Sequence, residues 1–135
     1  MFGPPRFLFE WRCVVYSSES EIEAVVRGFE TCATDKTAFK HREHLTVAVW
    51  YLQTLDPPLA VERMRTRLLR FLDHHRVPRE KYSEDVTVYW IELIAEQLAG
   101  LKPDASLLDQ CNHILSLPVH KPAIRAEDEA SLAKS

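Results

Sequence analysis

Between Ser18 and Leu115 the apolar residues of this chain recur every three or four positions, in stretches separated by proline-bearing breaks. That spacing lines one face of a 3.6-residue helix, and the prolines forbid a single long helix. The chain is therefore expected to be all-α: an antiparallel four- to five-helix bundle with an extended N-terminal arm. Its 135 residues suit one domain with a real core. The expected division is an apolar arm at 1–17, the bundle at 18–117 and a loosely ordered tail at 118–135.

The individual helices follow from caps and breaks. Ser18 and Glu21 read as a capping box, followed by the stripe Ile22, Val25, Val26 and Phe29, ending near Thr31. A second, strongly amphipathic helix opens at His41 and runs through Leu45, Ala48 and Leu52 to Leu55, where Asp56-Pro57-Pro58 stops it. A third starts near Leu59 and carries Val61, Met64, Leu68, Phe71 and Leu72, with His75 continuing the stripe. A fourth spans Ser83 or Glu84 to Leu98, with Val86, Trp90, Leu93, Ile94 and Gln97 inward and Gly100 as its stop. Asp104 or Ser106 caps a short fifth helix bearing Leu107, Leu108, Cys111, Ile114 and Leu115.

Phe7 to Tyr16 departs from this pattern. Phe7, Phe9, Trp11, Cys13 and Val15 alternate, a strand-like period, while Glu10 and Arg12 interrupt the run. The charges and the length rule out a signal h-region or a membrane span. Such an arm either packs over the helices or pairs with a second copy, making a homodimer.

Charge and cysteines narrow the function classes. A net charge of −3 argues against a general nucleic-acid binder. Three scattered cysteines with no C-x-x-C give neither a disulfide framework nor a zinc knuckle, and a reduced, cytoplasmic setting fits. With three glycines and no Gly-rich phosphate motif, a nucleotide-cradling loop is not expected. Arg63, Arg65, Arg67 and Arg70 read as a solvated face, and Cys32 and Cys111 as small core residues.

The candidate site begins with His41 and His44, whose i,i+3 spacing places both imidazoles on one helical side. Short connections make consecutive helices antiparallel, so these histidines are expected near His75 and near the segment Tyr82-Ser83-Glu84-Asp85-Val86-Thr87. Imidazole nitrogens plus a carboxylate form a ligand set for zinc, iron or manganese. The expected ligands are His41, His44 and Glu84, with His75 as fourth. Tyr82, Ser83 and Thr87, together with Tyr51 and Trp90, would contact a small ligand. Without metal, protonated histidines would bind a carboxylate or phosphate. Each member also has a local structural role, since histidine suits a last helical turn, acids suit a first turn, and Ser83 is an ordinary N-cap.

The pattern H-R-E-H-L-x-x-A-x-W-Y-L, followed about forty residues later by K-Y-S-E-x-x-T, resembles one in small uncharacterised bacterial helical proteins. There an H-x-x-H-L helix precedes a Y-H-E-T-type segment. The matching positions are His41, His44, Leu45, Tyr82, Glu84 and Thr87, and the likeness covers roughly residues 37 to 98. Ser83 stands where those proteins carry a histidine. The resemblance implies a shared site without naming a reaction, and the Ser83 departure implies lost metal affinity or recruitment of His75. The leading expectation is a metal- or ligand-binding helical protein. The rival is a non-catalytic interaction module that dimerises through its arm.

Overall fold

The computed structural model describes residues 15–117. Five α-helices follow in order: α1 Glu19–Glu30, α2 His41–Tyr51, α3 Pro57–His74, α4 Glu84–Ala99 and α5 Leu107–Ser116. A 3-10 turn, Arg79–Lys81, joins α3 to α4, and no strand occurs among the described residues. The expected arm, its dimer role and the expected tail fall almost wholly on residues 1–14 and 118–135, outside the described residues.

Helix starts obey the capping chemistry with two adjustments. Asp56, Ser83 and Ser106 each accept a hydrogen bond from the backbone amide three residues on, at 3.2, 3.3 and 3.0 Å. Pro57 and Pro58 therefore open α3, where proline's missing donor costs nothing, instead of merely ending α2. At α1 the Glu21 carboxylate does reach back, but to the Ser17 amide (2.6 Å), while the Ser18 hydroxyl pairs with Ser20. α2 stops at Tyr51, earlier than Leu55. Turn bonds to the Trp50 and Tyr51 carbonyls tighten the chain before Asp56, which must be extended ahead of proline.

Two helix ends share a motif that lacks its usual residue. After α1, Cys32 adopts φ 62°, with Cys32 and Ala33 amides donating to the Phe29 and Gly28 carbonyls. After α3, Arg76 adopts φ 60°, with Arg76 and Val77 amides donating to the Asp73 and Leu72 carbonyls. Both are Schellman closures with a non-glycine residue in the left-handed position. His75 is thus the C-cap of α3, and its ring, packed on Phe71, continues the stripe to the helix end.

α2 lies at the centre and packs against all four other helices. Leu45, Thr46, Val47, Ala48 and Val49 are buried in succession, so this helix is enclosed on every side and is not the amphipathic surface helix expected of it. α4 buries Val86, Trp90 and Ile94 as expected and Thr87 and Ile91 in addition, while Leu93 and Gln97 are half-buried. At one end of the core Phe29 stacks on Phe39 (4.5 Å, 8°), and Phe71 tilts against both at 5.5 and 5.1 Å.

Candidate ligand-binding cavity

The first turn of α2 is held by the Glu43 carboxylate, which accepts from the Lys40 amide at 2.9 Å. His41 and His44 project from that turn, and Leu45 and Ala48 follow on the same side. α3 adds Met64 and Leu68, and α4 adds Val86, Thr87, Trp90 and Ile91. Together these ten residues line a partly enclosed cavity of about 40 Å³. At ~10–15 Å³ per water, that is room for roughly three water molecules or a few heavy atoms. None of the ten is Asp, Glu, Lys or Arg.

Two ring nitrogens in this lining are inaccessible and have no hydrogen-bond partner in the protein: His44 Nε2 and Trp90 Nε1. The edge of Phe39 covers the His44 ring at 4.5 Å and 85°. Burial, reinforced by the nearby His41, lowers the His44 pKa to about 3, so its ring is neutral at physiological pH. His41 sets its ring across Trp90 at 4.7 Å and 64°. The Thr87 hydroxyl donates to the Ser83 carbonyl at 3.1 Å.

Four of the expected site residues therefore meet here: His41, His44, Thr87 and Trp90. The others have different engagements. Arg65 grips Glu84 through two hydrogen bonds, 3.0 and 2.9 Å, and Tyr82 donates to the same carboxylate at 2.8 Å. The guanidinium, and after it the Tyr82 hydroxyl, holds Glu84 below its usual carboxylate range. Arg65 thus bridges α3 and α4 across a solvated face. Ser83 acts as a cap. Tyr51 donates to Glu30 at 2.6 Å, and burial first, then that bond, raises its pKa.

His75 packs on Phe71 at 4.4 Å and on His74 at 4.9 Å. It does lie at the same end as His44, but the Phe39 and Phe71 rings stand between the two imidazoles. The expected set of His41, His44, Glu84 and His75 is consequently not assembled. Among the described residues no group of three or more His, Cys, Asp or Glu side chains is placed to hold a metal ion. The anion alternative loses His44 as a cation, because that ring is neutral. Sequence reasoning placed Met64, Leu68 and Val86 in the core without assigning them to a site, and it overlooked Ile91 and Phe39. Hydrophobic periodicity marks such residues as buried but does not show where packing leaves space.

Cys111 is fully buried, and burial pushes its thiol up to about 12, which makes it an inert core residue. No helix among the described residues is long and apolar enough to cross a membrane. Comparison with family models, curated proteins and solved structures finds no match, so the geometry carries the functional reading.

Proposed function

We propose that the chain binds a small, uncharged, largely apolar molecule in the cavity between α2, α3 and α4. The supporting observation is the partly enclosed cavity itself, about 40 Å³ in volume, whose mainly apolar lining includes no Asp, Glu, Lys or Arg. A ligand of matching shape gains by taking apolar surface out of water while filling the space. A charged ligand would shed its hydration in a lining whose only ionisable side chains are two histidines, of which His44 is neutral. A histidine as weakly basic as His44 also transfers protons poorly near neutrality, which favours binding over acid–base catalysis.

The test is an NMR titration of the full chain with diethyl ether, butyrate and Zn²⁺ in parallel. Diethyl ether is expected to give saturable shifts centred on the Met64 methyl and the Trp90 indole, with neither ion doing so. Stoichiometric Zn²⁺ binding at His41 and His44, or butyrate binding in preference to ether, would overturn the reading.

A further inference from the structure

We propose that two oppositely charged helix edges of this chain, a basic one on α3 and an acidic one on α4, join copies of it head to tail. Arg27, Arg42, Arg65 and Arg79 each hold an acidic side chain within 4 Å, whereas among the described residues Arg63, Arg67 and Arg70 hold none. These three stand at steps of four and three along α3, and His74 follows after four more, so all share one helical edge. Arg63, Arg70 and His74 are exposed and Arg67 is half-buried. Arg65 turns to Glu84 on α4, so Arg63 and Arg67, two positions to either side of it, lie on the flank facing away from that helix. The Arg63 guanidinium stands 5.8 Å over the Tyr51 ring, which steadies it there. Glu30 accepts from the Tyr51 hydroxyl and forms no ion pair with Arg63 or Arg67.

The counterpart is on α4. Asp85, Glu92 and Glu96 are exposed, hold no basic side chain within 4 Å among the described residues, and lie opposite the buried side of Val86, Trp90, Ile91 and Ile94. Their positions, with Tyr89 between the first two, repeat the steps of four, three and four found on α3. Arg63 to His74 and Asp85 to Glu96 therefore cover the same length, about 16 Å of helix at ~1.5 Å per residue. Such spacing reads the same in both directions. Laid parallel or antiparallel, one arginine of a copy meets Tyr89 of the next, where a guanidinium stacks on the ring, and the other basic side chains meet carboxylates. The two edges are different surfaces, so the contact is heterologous and closes into a ring or continues as an open chain. Exposed ion pairs are individually weak, so association calls for concentrated protein and low salt.

Sedimentation velocity of the full chain at about 0.5 mM protein and about 20 mM NaCl, where the Debye length is roughly 20 Å, is expected to show species heavier than the monomer that disappear in about 0.5 M NaCl. Arg63→Glu with Arg70→Glu gives α3 a net acidic edge, and Glu92→Lys with Glu96→Lys gives α4 a net basic one. Each variant then carries like charge on both edges and should sediment as a monomer. An equimolar mixture of the two should recover the heavier species, because every edge again meets its opposite. All four positions are exposed, so circular dichroism of each variant should match that of the unaltered chain. A monomer at low salt for the unaltered chain would overturn the proposal, as would heavier species that persist in high salt or in either charge-reversed variant. Variants that stay monomeric when mixed would overturn it too.

Discussion

At the scale of single residues, buried polar atoms decide the behaviour of this protein. His44 is one, and its lowered pKa links stability to pH. An unfolded chain protonates this ring below about 6.5, whereas the folded chain does so only near 3. Between those values the unfolded state binds more protons, so stability falls as the pH drops. Urea unfolding at pH 7 and pH 5 should show a loss of about 2 kcal/mol that His44→Phe abolishes. Thr46 is a second case. It is fully buried, its hydroxyl donates to the Arg42 carbonyl at 2.9 Å, and the Tyr16 hydroxyl therefore donates to Thr46 at 2.8 Å. Thr46→Val keeps the shape and orphans Tyr16, and chemical denaturation should register a loss of about 1–3 kcal/mol. Adding Tyr16→Phe should recover most of it, since replacing both partners with apolar groups is close to neutral.

At the scale of elements, the helices are legible in the sequence because their starts are chemically marked. Ser83, Ser106 and Asp56 are caps by residue type, and the proline pair points to a boundary at the right place. The ends are harder to read, because the α1 and α3 closures put Cys32 and Arg76 where glycine would have announced them. Arg76→Gly relieves a left-handed backbone at an exposed residue. It should raise stability by about 0.5–1 kcal/mol, read as a higher Tm, once glycine's greater unfolded-state entropy is subtracted from the relief. Cys32→Gly should not, because it also removes a buried side chain from the core. The site was half legible for a related reason. Spacing puts His41 and His44 on one side of α2, but whether an imidazole faces a ligand or a phenyl ring depends on Phe39, a loop residue with no periodic signature.

At the scale of the whole molecule, Phe39 joins α1, α2 and α3 through Phe29, His44 and Phe71. Phe39→Ala should cost about 3–5 kcal/mol in equilibrium unfolding, a large share of what a domain this size possesses. The same change would remove one of the two rings between His44 and His75. A second joint spans nearly the full described length. The Asn112 carbonyl oxygen accepts from both the Val15 and Tyr16 amides at 2.9 Å, and its amide nitrogen donates to the Tyr16 carbonyl at 3.1 Å. An asparagine on α5 thus serves the first described residues much as a neighbouring strand would. For a chain emerging from the ribosome, this sets an order of events. Helix α2 leaves the exit tunnel seconds before α5, at roughly 5–20 residues per second, and until α5 arrives one of its apolar flanks is open to solvent. Tyr16 and its neighbour wait for Asn112 in the same interval. Of the described helices, the last to be translated is the one that closes this flank.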